Sequence, residues 1–526
     1  LHDAVHEGDG ERREHAERWA RLVADKPHFR FHVKLNRDFT HADAAIDMLT
    51  DEPFVASKIE AARLRALVHS QRGEGELAEV QLLEALGRAE AEGFAGLALR
   101  LLLDVSLVAT RRAQFVRAAR FAREAQRRAR ERHDAHGVAE ATGVLARGFI
   151  RAGRSRAARR ALLAAQQAAR AAGDRLLEAA VRRQMGNLSL RVGDLLDAIE
   201  HYERSLELVR AVGVRAEESI CLHHIDAVRL LLGQYASAVR ALEEASRAAR
   251  ASGDVLSEAA SILELAVGAA QVGDHAGAEA LLAKVQPLAE RLDNPTVAAK
   301  VPALHATLAQ IRGDLAPARV LLERVAQLLS PLEDPSDRAF LLRHAGQLAL
   351  VLGSTREASE LATRLSEEVD RGALAHLWPS ALALRAQVDD ETDAGEDAVA
   401  RVREAASRAR ELGLVPLEIE LRTWLGVAQS GSDASIEELT LAMERSRELV
   451  RALPSDTQRA YLAAPAMSRL RAAFGDEVAR LGIGGSPRHV RGRRRPQQGR
   501  AVQDKNNPND IRQQEMGKLQ RDGREQ

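Results

Sequence analysis

A column of alanines recurs every 40 residues through most of this 526-residue chain. Nine positions share the register: Ala78, Ala118, Ala158, Ala198, Ala238, Ala278, Ala318, Ala358 and Ala398. Alanine is 97 of the 526 residues, so nine consecutive matches have a chance of about 10⁻⁷ in any one phase. A period of this length predicts one repeated structural unit in place of the three or four globular domains that the length alone suggests.

Two columns of glycines divide each unit. Because glycine reaches positive φ without a Cβ clash, each column predicts a turn after a helix. Asp194, Asp274 and Asp314 follow glycines of the first column and are predicted to cap the next helix. The first column holds Gly73, Gly153, Gly193, Gly233, Gly273, Gly313 and Gly353, with Ala113 and Asp393 as exceptions, and the second holds Gly93, Gly173, Gly213, Gly253 and Gly413.

A fourth column places small residues in the helix before the first turn, and Asp226 is its one exception. Small side chains on both helices allow their backbones to approach closely, while a leucine column on the second helix supplies larger side chains. Only 3% of the residues are aromatic, which also disfavours strands. The prediction is an all-α fold. The small column is Ala66, Ser106, Ala146, Gly186, Ala266, Ala306, Gly346, Ala386 and Gly426, and the large one is Leu82, Leu162, Tyr202, Leu242, Leu282 and Leu322.

One segment resembles the tetratricopeptide repeat. It carries a small residue in the first helix, a Gly-Asp turn, and small then bulky residues in the second: Met185-Gly186-Asn187, Gly193-Asp194, Ala198-Ile199, Tyr202 and Ser205-Leu206. The usual repeat has about 34 residues, and the period of 40 is similar to longer variants in bacterial signalling proteins. HEAT and armadillo repeats have periods of about 40–47 residues, so the period alone leaves them open. The turn and the paired small columns favour the tetratricopeptide repeat.

This resemblance implies a superhelical solenoid of antiparallel helix pairs. We expect a degenerate helical unit at 1–52, about ten repeats at 53–450, capping helices at 451–484 and a basic disordered tail at 485–526. From Ser486 onward the tail has 11 basic and 5 acidic residues, a net charge of +6, whereas the chain as a whole is neutral. We interpret the tail as a solvated segment, with contact to nucleic acid or anionic lipid through its arginines as the alternative.

No motif of a common enzyme class occurs in the sequence, whether a phosphate-binding loop, a nucleophile elbow, an HExxH pair or a kinase catalytic loop. We therefore predict a protein without catalytic activity, cofactor or metal. Cys221 and His224 could share one helix face, but a structural zinc site needs four ligands. The single cysteine favours a reducing, cytoplasmic location, and Arg100 and Asp104 interrupt the longest apolar stretch, so no membrane span is expected.

In the tetratricopeptide family the first helix of each unit lines a concave groove. Counting from the small column, the resemblance implies six partner-binding residues: Arg147, Arg183, Asn187, His223, Arg343 and Gln347. Guanidinium groups bind carboxylates, and an asparagine offers a donor and an acceptor to a peptide backbone. Arg183 and Asn187 also resemble the basic and Asn pair of chaperone-binding members, but Ala260 and Glu264 stand where further basic residues are expected.

Apolar groove positions also fit an amphipathic helix; they are Leu103, Leu107, Leu263 and Val267. The predicted function is a non-enzymatic protein-binding scaffold in bacterial signal transduction. Its ligand is a peptide or helix, and an acidic peptide would fit. Nucleic acid is not the expected partner, because arginine richness follows from general composition. The main alternative is the regulatory C-terminal region of a larger signalling Ser/Thr kinase or ATPase, favoured by a chain that begins with Leu1. Because each repeat should contact mainly its neighbours, we expect stability to be nearly one-dimensional.

Overall fold

The computed structural model describes residues 46–47, 49–50, 54–251, 253–292, 294–332, 334–390 and 395–480. The predicted tail at 485–526, and all but four residues of the predicted unit at 1–52, lie outside the described residues. Within the described part every regular element is a helix, and twenty of the helices form ten successive hairpins between Val55 and Ala452. The predicted all-α solenoid of helix pairs is confirmed.

The hairpins follow the 40-residue period, and two further helices come after them. In chain order the helices are α1 Val55–Gln71, α2 Gly75–Ala91, α3 Ala95–Arg111, α4 Phe115–Glu131, α5 Ala135–Arg151, α6 Ser155–Ala171, α7 Arg175–Val192, α8 Leu195–Val212, α9 Arg215–Leu231, α10 Tyr235–Ala251, α11 Val255–Gln271, α12 His275–Arg291, α13 Pro295–Ile311, α14 Ala316–Leu329, α15 Pro335–Val351, α16 Thr355–Gly372, α17 Trp378–Asp390, α18 Gly395–Glu411, α19 Val415–Ala428, α20 Asp433–Ala452, α21 Ser455–Ala463 and α22 Pro465–Arg480. None of them is both long and apolar enough to cross a membrane.

Left-handed backbone ends most of these helices. The described glycines of both turn columns have positive φ, and so do Ala113, His133 and Ala373, which occupy the same positions in units that lack a glycine. The turn is thus imposed by the repeat even where a side chain makes it costly. The cap prediction is correct for Asp274, which accepts from Gly277 N at 2.9 Å, and wrong for Asp194, whose side chain makes no cap bond.

Asp314 accepts from Ala316 N at 3.1 Å, so it bonds to the first turn of α14 without being its N-cap residue, which is Leu315. Aspartates that the sequence analysis did not single out cap four first helices of hairpins. They are Asp134, Asp174, Asp254 and Asp334. Capping therefore recurs at both turns of the unit, but not in every unit.

The alanine column is buried in the nine hairpins that carry it. All nine alanines are at most 1% exposed. The glycines of the small column admit larger neighbours: a Cβ on Gly186 would lie 2.5 Å from the Tyr202 ring, and one on Gly426 would lie 2.3 Å from Leu439. Real Cβ atoms do not approach so closely, so the small residues fix the separation of the helices.

The superhelix also contacts itself. The turns of early hairpins pack against loops of hairpins five or six positions later, so a Cβ on Gly193 would lie 2.7 Å from Leu412. Ala375 N donates to Arg191 O at 2.7 Å. One apolar cluster joins Tyr202 and Leu206 with Val402 of α18. Helices still contact mainly those of the same and neighbouring hairpins, as expected. The contacts between superhelical turns add to these, so we do not expect stability to be purely one-dimensional.

Asp226 replaces the small residue in α9 and is fully buried. Its Oδ1 accepts from Arg229 at 3.2 Å, while its Oδ2 has no partner among the described residues. Burial, only partly offset by Arg229, raises the pKa of this carboxyl to about 7. The Asp226 carboxyl is therefore protonated over much of the acidic pH range.

We expect Ala238→Arg to destabilise the protein by about 1–3 kcal/mol or more, because a large side chain overpacks the contact between α9 and α10. Thermal or urea unfolding measures the effect. Val239→Arg is the matched control, since Val239 is the next residue on the same helix and is 37% exposed. Equal unfolding midpoints for the two variants would contradict this register.

We expect Asp226→Asn to stabilise the protein at pH 8 and to have little effect near pH 4. An acid whose pKa is higher in the folded state loses stability as pH rises from its ordinary pKa to the folded one. With about three pH units between them, the gain is limited to about 4 kcal/mol. Urea unfolding across this pH range measures it, and exposed Asp370→Asn serves as the control. A gain in the free energy of unfolding that does not change with pH would show that the folded protein does not hold a proton on Asp226.

Candidate functional site

The inner face of the superhelix is formed by the first helix of each hairpin. These helices, α1 to α19 with odd numbers, contact the first helix of the following hairpin along most of the array. We call them the inner helices and their even-numbered partners, α2 to α20, the outer helices. An inner helix lies on the shorter radius, so its exposed residues converge on one groove.

A group of arginines converges in the groove at α3, α5 and α7. Arg147 lies at its centre, where burial, together with the nearby Arg183, Arg111 and Arg151, lowers its pKa to about 10. With the Gln184 amide oriented so that its oxygen faces Arg147, this oxygen accepts from Arg147 Nε and Nη2 at 3.2 and 3.3 Å. We call these four residues, Arg111, Arg147, Arg151 and Arg183, the arginine cluster.

The members of the cluster differ in their partners. Arg183 pairs with Glu217 at 3.1 Å, Arg151 pairs with Asp334 at 2.9 Å, and Arg111 donates to Ser70 Oγ at 2.9 Å. In the described part of the chain Arg147 has no carboxylate at ion-pair distance, and a neutral amide is its partner. An enclosed guanidinium among like charges is therefore ready to receive an anion.

A second polar group lies further along the groove, at α9, α13 and α15. Lys300 pairs with Asp337 at 3.2 Å. The His344 ring bridges Thr307 Oγ1 at 3.1 Å and Arg343 Nη2 at 3.2 Å. Among the residues that the structure describes, Arg343 also lacks an ion-paired carboxylate.

Burial controls protonation in this second group. It lowers the pKa of His223 below its usual value, and it lowers the pKa of His344 well below, where Arg343 and Lys300 add repulsion. The histidines are therefore neutral at pH 7. Burial also opposes the charge of Lys300, but Asp337 and Glu264 outweigh it and raise that pKa. The fixed positive charges here are Lys300 and Arg343.

Three of the six predicted binding residues, Arg183, Asn187 and His223, lie on inner helices and contact other side chains of the protein. Arg183 is held by Glu217. Asn187 Oδ1 accepts from Tyr202 Oη at 2.8 Å, and the His223 ring lies 5.7 Å from the His224 ring with a buried Nδ1 that has no partner among the described atoms. Arg183 and Asn187, the pair that resembles the clamp of chaperone-binding proteins, thus both bind side chains of the protein itself.

The other three, Arg147, Arg343 and Gln347, are half-buried. Neither of the two arginines forms an ion pair within the described part of the chain. Of the apolar groove positions, Leu103 and Leu263 are only 3% exposed and belong to the core, while Leu107 and Val267 remain half-buried at its edge. Sequence reasoning missed Arg111, Arg151 and Lys300. They lie one turn from the predicted positions on the same helix faces, so the 3.6-residue period could have identified them.

Cys221 and His224 both contact other residues of the protein. Cys221 is buried with its Sγ 3.3 Å from Ser205 Oγ, and burial raises its pKa. His224 stacks on Tyr202, with ring centroids 5.1 Å apart. The described residues contain no group of three metal-ligating side chains suited to a metal ion.

Contacts between superhelical turns close the groove beside the arginine cluster. Asp334, at the start of α15, binds Arg151 of α5 at 2.9 Å and Arg191 of α7 at 3.4 Å. Arg191 also donates to the Gly372 carbonyl at 2.8 Å. Burial raises the pKa of Asp334, but the two guanidinium groups outweigh it and leave that pKa below its ordinary value. Residues almost 200 positions apart thus share one ionic contact.

Comparison with known proteins identifies the repeat type in one segment of the chain. Residues 175–251 match the family model of the tetratricopeptide repeat, and they comprise α7 to α10, two consecutive hairpins of the 40-residue register. The match covers the segment whose residues carried the resemblance, and it favours the tetratricopeptide repeat over HEAT and armadillo repeats. No curated protein matches the chain in sequence.

Several solved structures are similar to the chain at low identity. One is a Rap protein complexed with competence and sporulation factor, at 12% identity and a TM-score of 0.47, covering 68% of this chain and 99% of that one. A signal transduction ATPase with numerous domains and a tetratricopeptide repeat sensor, from Pyrococcus horikoshii, has 18% identity and a TM-score of 0.40, with coverage of 64% and 53%. The Rap conjugation gene regulator of plasmid pLS20, in complex with the Phr* peptide, has 12% identity and a TM-score of 0.42, with coverage of 54% and 78%.

We expect Asp334→Ala to destabilise the protein by about 3 kcal/mol, because it removes a helix cap and leaves two enclosed guanidinium groups without their carboxylate. Asp274→Ala is the control, since Asp274 caps α12 through Gly277 N and makes no ion pair in the described structure. It should lose about 1 kcal/mol. Urea unfolding compares the two, and equal losses would show that the contact between turns contributes nothing.

Proposed function

We propose that this tetratricopeptide-repeat protein is a non-enzymatic scaffold that binds a peptide or helical segment of a partner protein along its inner groove. The ligand carries carboxylates, one at Arg147 and another at Arg343. The single observation that carries the proposal is Arg147, a half-buried cation bonded to a neutral amide, whose pKa is lowered by burial and by three neighbouring arginines against the attraction of Glu140. The protein's single cysteine, Cys221, is buried and supports a cytoplasmic location.

The electrostatics support an anionic ligand. Arg147 is still protonated at pH 7 with a pKa of about 10, and its charge raises the free energy of the neighbouring guanidinium groups. A carboxylate that enters the cluster relieves this repulsion and forms charge-assisted hydrogen bonds in a site partly screened from water. Arg343 provides a second such position on α15, beside Lys300 and His344.

The remaining groove residues support a polypeptide ligand. Gln347 offers an amide donor and acceptor one turn from Arg343, which suits a peptide backbone. Half-buried Leu107 and Val267 provide apolar contact on other inner helices. Specificity is then distributed over several hairpins, with charged groups fixing the position and apolar groups adding area.

Selection from a displayed library of random 16-residue peptides tests the proposal. Peptides that bind the protein are titrated against Arg147→Gln/Arg343→Gln, and their affinity should fall at least about tenfold, because hydrogen bonds to charged groups contribute about 1.5–3 kcal/mol each. Arg147→Lys alone keeps the charge but loses the bidentate hydrogen bonding of the guanidinium group. It should reduce peptide affinity by less than the double variant.

Arg356→Gln/Arg364→Gln is the matched control, because both residues are exposed on the outer helix α16. Unfolding midpoints equal to that of the unaltered protein establish that each variant is folded. If every selected peptide binds the groove variant with unchanged affinity, the inner groove is not the binding site and the proposed function is wrong.

A further inference from the structure

Positive charge is concentrated in one part of the array. Residues 111–172 contain 16 arginines and only 4 acidic residues, whereas the whole chain has 76 basic and 76 acidic residues. A general preference for arginine would not remove the acidic residues from this segment. The outer helix α6 has no acidic residue at all, while α8, the outer helix of the next hairpin, carries Asp197, Glu200, Glu203 and Glu207.

Much of this charge is exposed and unpaired. Six arginines of the outer surface are exposed, and none has a carboxylate at ion-pair distance in the part of the chain that the structure describes. They are Arg120, Arg123, Arg154, Arg156, Arg159 and Arg160. Elsewhere on α4 the arginines do have such partners, with Arg117 on Glu79 at 2.7 Å and Arg127 on Glu124 at 2.6 Å. We call the six residues the outer arginine patch.

An apolar pocket opens beside the patch, between the start of α4 and the middle of α5. Phe115, Val116, Leu145 and Phe149 line it, and the two patch residues Arg123 and Arg154 line the same pocket. Val116 is 82% exposed, the highest value for a large apolar side chain among the described residues. An exposed apolar site rimmed by charge is typical of an interaction surface.

We propose that the outer surface of α4 and α6 is a second docking site, separate from the inner groove, which takes an acidic segment of a partner protein. An aliphatic or aromatic side chain of that segment fills the pocket between Phe115 and Phe149. Carboxylates on either side of it pair with Arg123 and Arg154, and further acidic residues contact the other four arginines.

The combination of pocket and charge selects this partner. A nucleic-acid duplex offers phosphates to the arginines but no aliphatic side chain for the pocket. An anionic membrane requires a broad apolar face, whereas the exposed apolar residues here, Val116 and Leu163, are isolated. An acidic, amphipathic protein segment uses both features at once, since buried apolar area supplies affinity and opposite charge supplies the rate and register of docking.

The test uses a charge-reversed variant, Arg123→Glu/Arg154→Glu/Arg159→Glu/Arg160→Glu. Its matched control is Arg319→Glu/Arg324→Glu/Arg356→Glu/Arg364→Glu, which makes the same change in net charge at exposed positions of α14 and α16. Val116→Asp places a charge at the pocket mouth and tests the apolar contribution separately. Unfolding midpoints are measured for all three variants.

A displayed library of random 16-residue peptides is selected on the unaltered protein, and the selected peptides are titrated against each variant. The expected result is a class of peptides rich in Asp and Glu, each with a large apolar residue. Their affinity falls at least about tenfold for the charge-reversed variant and for Val116→Asp. It is unchanged for the control and for Arg147→Gln/Arg343→Gln, which separates this site from the inner groove.

Three outcomes would overturn the proposal. The first is that every selected peptide keeps its affinity for the charge-reversed variant. In the second, a 20-base-pair DNA duplex or phosphatidylserine vesicles bind through the patch while no acidic peptide does. The third is self-association in analytical ultracentrifugation that only the charge-reversed variant abolishes, because the patch then contacts a second copy of this chain.

Discussion

Close contact between two columns of small residues determines the rest of the structure. Ala198 of α8 is fully buried, and the Tyr202 ring lies directly against Gly186 of the small column of α7. Because the same columns recur every 40 residues, successive hairpins pack in a similar way. Repetition of this packing builds a superhelix, and the superhelix in turn brings distant hairpins together.

That second consequence changes the energetics of the array. In an open solenoid each repeat is stabilised only by its two neighbours, but here the turns of α7 and α8 pack on the loops around α17 and α18. Asp334 connects Arg151 and Arg191 across the same boundary. The enclosed arginines are costly to bury, and the carboxylate that compensates two of them comes from a different superhelical turn. The ion pairs of Asp334 with Arg151 and Arg191 therefore do two things. They connect two superhelical turns beside the groove, and they compensate the positive charge of the groove.

The sequence predicts the local structure well because the local structure is periodic. The glycine and alanine columns identify the turns and the contact between paired helices, and even Ala113 follows the pattern with a positive φ. The failures share a cause. The period contains no information on superhelical pitch, so the partner of Arg151, 183 residues away at Asp334, could not be inferred. The internal partners of Arg183 and Asn187 were missed for a related reason, since Glu217 and Tyr202 lie outside the inner-face positions that the family resemblance points to.

The two cationic surfaces differ in what surrounds the charge. At Arg147 the superhelix excludes much of the water, so one carboxylate there gains a strong interaction that salt screens little. The six arginines on α4 and α6 lie in solvent, where each pair is weak and screened at physiological ionic strength, and only several together give useful attraction. The arginine cluster at Arg147 therefore favours specificity for one well-placed anion. The outer arginine patch favours rapid capture of a segment that carries many anionic groups. An apolar pocket beside the second surface is what converts that capture into a lasting contact, because burial of apolar area does not weaken when salt is added.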